Sequence, residues 1–339
     1  ADLSSNSSYN NTRYGFALLS ASASSLEAMV IDNSSQGNGN HGFYLSASTT
    51  GLLDTQLRQN SSYENTGIGF YATAANDSTI LASFDQNSAL DNTSYGFDIA
   101  GGSTTDVTAT LIDNLSQRNG NSGFLLSSST SAQTNFQITS NSSLENTNYG
   151  FYLSSSGSTL TDAVFEENTS TGNSGYGFYM LAQSSALVSA DLARNSGDNN
   201  GNSGFYLRAT SSATLDSDLS ENSSTGNVNQ GFHFLSQNNA SLNATVVDNN
   251  SSNNSGVGLY VDDDSTVAMN ADLGGGLLGS PGGNSSFENL LYDLRVDLNG
   301  LELKAENNWW GFESGLPLGK LRLDSGSTAD TIPFLTLAP

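Results

Sequence analysis

The chain contains no cysteine, so neither a disulfide framework nor a thiolate metal site is open to it. Proline is nearly as scarce, at four residues, and charged residues make up only 12%. Positive charge is scarcest: nine Lys and Arg stand against 33 Asp and Glu, a formal net charge of −24. A chain of that sign is repelled by nucleic-acid phosphates and by anionic lipid, which removes both as expected partners. No run is long and apolar enough for a spanning helix, so no membrane span is expected. The remainder, dominated by Ser, Asn, Gly and Thr, matches the composition of disordered chains, which bury too little apolar surface to offset chain entropy. Disorder is excluded by where the apolar residues fall.

They recur every 27 residues, without one insertion, from Gly15, Gly42 and Gly69 through Gly258. The position after each of these glycines is Phe from Phe16 to Phe232 and Leu at Leu259. Two positions are Asn in all ten copies: the column from Asn6 and Asn33 to Asn249, and the column from Asn11 and Asn38 to Asn254. Each copy holds two stretches with apolar residues at every second position, as in Gly150-Phe151-Tyr152-Leu153 and Ile80-x-Ala82-x-Phe84. That period belongs to strands with one buried face. Ser- and Asn-rich corners separate them.

One copy cannot hide its own apolar face, so the copies must stack as coils. Each strand then pairs with its equivalents about 4.8 Å above and below, and identical residues form ladders. A buried Asn amide can bond the next coil and so satisfy groups that are costly to bury. The expected fold is all-β: a parallel β-helix of 27-residue coils with a C-terminal cap. Ten coils are expected over residues 1–273. The Gly-rich insertion from Gly274 and the last irregular coils should occupy 274–305. A cap carrying Trp309 and Trp310 should occupy 306–339, its rings shielding the last sheet edge. At the other end Leu3 falls at the position of Val30 and Leu57, mid-strand, which leaves an uncapped first coil. End-to-end association of two copies through that coil is the expectation.

Repeats of the form Asn-Ser-Ser-x-x-Asn-x-x-x-Gly-Phe-x-Leu, ending in Asn307-Asn308-Trp309-Trp310-Gly311, resemble the parallel β-helix repeat proteins of the pectate-lyase-like superfamily. The resemblance covers nearly the whole chain and implies a right-handed helix. It is poor for function, since that superfamily holds polysaccharide lyases, hydrolases and epimerases beside tailspikes, adhesins and surface-layer proteins.

The residue between the Phe and Leu columns should face outward, and it is Tyr44, Tyr71, Tyr152, Tyr179, Tyr206, His233 and Tyr260 in seven copies. An exposed aromatic stripe of this kind can stack on sugar rings or dock a protein, and it can equally be cross-strand stacking that stabilises the sheet. No catalytic residue is assigned. The best polar cluster is Arg208, His233 and Asp262, which lacks the two carboxylates at fixed separation that glycoside hydrolysis uses. Lyases of the superfamily, by the resemblance, use Asp-bound calcium and an Arg or Lys base. Asp262, Asp263 and Asp264 are the candidates for Ca2+, which prefers clustered oxygens. The function expected is an extracellular or cell-surface scaffold, adhesive or filament-forming and non-catalytic, with a glycan or surface ligand as partner. The alternative is a polysaccharide-active lyase or hydrolase, or a glycan-binding module.

Overall fold

The computed structural model describes every residue, Ala1–Pro339, and is all-β apart from one 3-10 turn at Leu318–Lys320. Two compact units divide it, Ala1–Val164 and Phe165–Pro339, so the boundaries expected at 273 and 305 both fall inside the second.

Each repeat contributes three strands. In one coil of the first unit they are a long strand, Leu52–Arg58, a short strand, Ser61–Tyr63, and the Gly-Phe strand, Phe70–Ala75. The sequence pattern shows only two of these, because three residues are too few to display an alternation. Within each unit the strands of the repeats pair in parallel with their equivalents one repeat on. In the first unit Ile80 lies against Val107, Ser88 against Leu115 and Phe97 against Phe124. In the second, Leu215 faces Leu242, Ser224 faces Ser251 and Phe205 faces Phe232.

Identical register stacks identical side chains. Phe43, Phe70, Phe97, Phe124 and Phe151 are fully buried, with successive centroids 4.7–4.8 Å apart and rings within 7° of parallel. Phe178, Phe205 and Phe232 repeat this in the second unit at 4.7 Å. The spacing is that of the strands themselves, so sheet pairing and ring stacking reinforce each other. Phe84 closes the core edge-on against Phe70 and Phe97.

The corners carry the two Asn ladders. The Asn87 backbone N–H and its side-chain amide both donate to Oδ1 of Asn114, at 2.9 and 3.1 Å. Asn114 does the same to Asn141, while its amide also donates to the Phe84 carbonyl at 2.8 Å. The second ladder works likewise, with Asn38 donating to Asn65 and to the Ser35 hydroxyl. That Ser belongs to a further column: Ser35 and Ser62 donate to the carbonyls of Gly42 and Gly69 at 3.1 and 3.0 Å. It also explains the invariant glycine. A Cβ on Gly42 would sit 2.0 Å from the Ser62 hydroxyl and 2.7 Å from the Gly69 carbonyl, so no side chain fits.

The residue just before each ladder Asn turns the corner in the left-handed region, where φ is 55° at Asp32, 54° at Arg194 and 55° at Glu221. Sequence phase places Asp32, Asp113, Glu167, Glu221 and Asp248 on the long strand. The structure moves them to this turn, where the side chain points to solvent and residue type is weakly constrained. The backbone there is strained for any non-Gly residue, which the rung beside it must offset. Arg194 turns to Glu166 and Glu167 rather than bridging Glu167 and Glu221.

At 284 the rungs are 35 residues apart rather than 27. The extra chain is a loop anchored on the buried Asp272, whose carboxylate accepts from the N–H groups of Gly274, Gly276 and Ser280. Both ladders then end on built stops. Asn308 is the last rung of the first, accepting from Asn284 and donating to the Leu273 carbonyl. Asp293, standing in the glycine column, closes the second by accepting both Asn289 donors at 3.1 and 2.9 Å. Trp310 is fully buried, and the Trp309 backbone extends the short-strand sheet against Ser285. The segment expected as a cap also holds two paired strands, Leu321–Asp324 and Thr328–Asp330, so the sheets run on beyond Trp310.

Replacing Asn114 by Ala removes the acceptor for two Asn87 donors, one of them backbone. The expected loss is about 3 kcal/mol, since a stranded buried donor costs about 1–3 kcal/mol, read as a lower guanidinium midpoint. Gly123→Ala should prevent folding outright, because its Cβ would meet the Gly150 carbonyl at 2.9 Å as well as the Ser143 hydroxyl at 2.1 Å. A soluble, cooperatively melting Gly123→Ala protein would contradict the steric account.

Candidate functional site

The aromatic column lies on the outer face of the Gly-Phe sheet, as its phase requires, but it is not an exposed stripe. Tyr179, Tyr206 and Tyr260 are buried, at 6–7% exposure, and Tyr44, Tyr71, Tyr152 and His233 are only partly open. Two things cover them. The rings stack on one another: Tyr179 on Tyr206 at 5.0 Å, Tyr206 on His233 at 4.8 Å, and His233 on Tyr260 at 4.6 Å. A second row from the residue just before the glycine packs beside them. Tyr14 stacks on Tyr44 at 4.6 Å, His41 lies 4.9 Å from Tyr71, and Tyr176 lies 4.8 Å from Tyr206. This row is visible as Tyr-Gly-Phe triplets at Tyr14, Tyr95, Tyr149 and Tyr176, a signal that reading one column at a time misses. Burial pushes the Tyr206 and Tyr260 phenols up and lowers His41, whose Nδ1 accepts the Ile68 N–H.

Beyond Tyr260 the column changes from rings to cations. Tyr260 pairs in register with Arg295, and Arg295 with Arg322. The Arg295 guanidinium lies 4.3 Å from the Tyr260 centroid and donates to Asp324 at 2.8 Å.

The polar cluster is brought together only in part. His233 Nε2 lies 3.7 Å from Asp262 Oδ2, beyond hydrogen-bond reach, and is buried without a partner. Arg208 is separated from Asp262 by Leu235 in the register, and its Nε and Nη2 both donate to Gln237 Oε1, at 3.1 and 2.7 Å.

The calcium candidates do not converge. They lie on the strand Leu259–Ser265, where alternate side chains take opposite faces. Asp262 faces out. Asp263 faces in, 3% exposed, and its carboxylate accepts the Ser265 and Met269 N–H groups at 3.1 and 3.0 Å to close a turn. Asp264 faces out towards Gln237. No group of three or more His, Cys, Asp or Glu side chains is arranged to hold a metal ion. Among the Asn-x-Ser/Thr triplets, the ladder residues such as Asn33 and Asn60 are buried, whereas Asn76 and Asn239 are exposed.

One residue of this face escapes the sequence reading altogether. Asp98 takes the aromatic position in its coil, 8% exposed, with its Oδ1 buried and unbonded. Burial pushes its carboxyl up to about 7.

A family model described as a right handed beta helix region matches residues 108–193. Neither curated proteins nor solved structures give a match. The match covers about a quarter of the chain; with the in-register parallel coils of both units it makes the chain a parallel β-solenoid, consistent with the right-handed β-helix repeat proteins of the pectate-lyase-like group it resembles.

Asp98 also sets a pH dependence. Unfolded, its carboxyl ionises near 3.8, and folded near 7. Between those values the unfolded chain holds fewer protons, so this residue's contribution falls as pH rises from about 4 to about 7 and stays low above. Asp98→Asn removes that loss. The variant should have a clearly higher urea midpoint than the parent at pH 8 and nearly the same one at pH 4. Equal differences at both pH values would refute the assignment.

Proposed function

We propose that the protein is an extracellular, non-catalytic scaffold whose aromatic face is a contact surface for a glycan or another surface ligand. The observation that carries this reading is the state of the outer Gly-Phe face. Tyr44, Tyr71, Tyr152 and His233 are partly open there, and Tyr44 and Tyr71 lie ring-to-ring in register at 5.6 Å, so the open rings have little entropy left to lose on contact. Most of the basic groups that cleavage of a polysaccharide would draw on have partners within the chain. Arg208 binds Gln237, Arg295 and Arg322 bind Asp324, Arg118 binds Asp91, and Lys304 binds Asp330 and Glu302.

The test incubates the protein with neutral, acidic and amino polysaccharides. New reducing ends and unsaturated products are measured, and co-sedimentation is followed in parallel. Expected are no cleavage, retention on at least one polymer, and retention about tenfold weaker in Tyr44→Ala/Tyr71→Ala, from two lost ring contacts of roughly 0.5–1.5 kcal/mol each. Cleavage that disappears in Asp262→Ala would replace the scaffold by the lyase or hydrolase alternative.

A further inference from the structure

The aromatic column of the first unit is interrupted by a carboxylate. Tyr44 and Tyr71 are followed in register by Asp98, then by Leu125 and Tyr152. A carboxyl is far smaller than a phenol, so at this rung the column narrows to a short acid, 8% exposed, between larger neighbours. Asp98 makes no hydrogen bond or ion pair within the chain, and its Oδ1 is wholly enclosed. The groups that feel its charge are two phenols, Tyr71 on the preceding rung and Tyr95 three residues earlier on the same coil. Tyr95 in turn is within electrostatic reach of Tyr152 and bonds Asn121. Both Tyr71 and Tyr95 are raised by burial and stay neutral in the range where Asp98 titrates.

An unpaired buried carboxyl is a standing cost to the fold, and in native structures such a group calls for an explanation. The surroundings narrow the class of partner. An anion is repelled. A bare divalent ion takes six or so oxygen ligands, and here there is one carboxylate. An alkylammonium suits both parts, because its N–H groups bond a carboxylate while ring faces attract the cation and its C–H shell.

We propose that Asp98, set between Tyr71 and Tyr95, is a binding site for an organic ammonium group, carried by an amino sugar or by a lysine side chain. Binding draws the carboxyl into its ionised form, replaces the missing partner and releases a proton below neutral pH. The site lies on the proposed contact face and deepens that reading by naming the chemistry it selects.

The experiment titrates the whole chain at low salt with glucosamine, Nα-acetyl-lysine amide and N-acetylglucosamine, at pH 7.5 and pH 5.5, for parent and Asp98→Asn. Expected is saturable binding of at least one ammonium probe at pH 7.5, weaker by about tenfold or more at pH 5.5, where a group titrating near 7 is mostly protonated. It should be lost in Asp98→Asn, with no binding of N-acetylglucosamine. Which ammonium probe binds identifies the source. No saturation by either, undiminished binding by Asp98→Asn, or equal binding of N-acetylglucosamine overturns the proposal. A second readout uses the parent alone: the Asp98 carboxyl 13C titration midpoint should fall when the probe is added, and an unchanged midpoint has the same adverse meaning. If the Asp98 site fails while polysaccharide retention still depends on Tyr44 and Tyr71, the contact face stands and only the ammonium assignment falls.

Discussion

At two of the three corners of a coil a backbone N–H is turned inward, away from water, and within each unit finds its acceptor in the side chain of an Asn one coil on. That hydrogen bond governs what else the chain can do. The Asn87 N–H reaches Asn114, the Asn33 N–H reaches Asn60, and the Asn222 N–H reaches Asn249, each near 2.9–3.0 Å. An Asn out of phase by one residue strands both its own amide and the backbone donor of its neighbour. The repeat therefore holds at 27 through ten copies, and the one longer interval places its extra residues between rungs, on the Asp272 anchor, so that Asn249 still meets Asn284 at 3.0 Å. The same register brings Ser35 beneath the Gly42 carbonyl and excludes a Cβ from the glycine above it. Ladder, serine and glycine are one constraint seen at three positions.

Legibility from sequence follows directly. A residue that must be one type to satisfy a buried neighbour repeats visibly, so the Asn, Gly and Phe columns disclose the stack, its register and its inward face. A residue that only has to turn left at a solvent-facing corner can be Asp32, Gln59, Arg194 or Glu221, and nothing in the sequence marks it. The short strand of Ser61–Tyr63 is hidden by its length, and Leu321–Asp324 by lying outside the period. The outer face was half legible. Alternation puts Tyr179 and Tyr206 on that side of the sheet, yet it is silent about what lies over them, and Tyr176 together with the stacked rings covers what exposure would otherwise leave open. The same alternation, applied within Asp262-Asp263-Asp264, turns Asp263 inward and dissolves the apparent metal cluster. Asp98 reads as an irregularity in a column of tyrosines; its significance comes from burial, which no spacing reveals.

The surface is dominated by acids. With nine cations against 33 acids, basic groups are scarce, and several of them tie one coil to another, as Arg118 does to Asp91 and Arg58 to Asp85. Such exposed pairs add little stability one by one.

Residue-resolved hydrogen exchange in the native protein tests most directly whether the ladders govern the fold. The backbone amides of Asn60, Asn87 and Asn114 are donors to buried side chains rather than to a strand. They should nonetheless exchange as slowly as the central strand amides, through global unfolding alone. Exchange of these amides at the rates of the exposed turns near Asn76 and Asn239, with the strands still protected, would show that strand pairing holds the coils and that the Asn rungs merely follow.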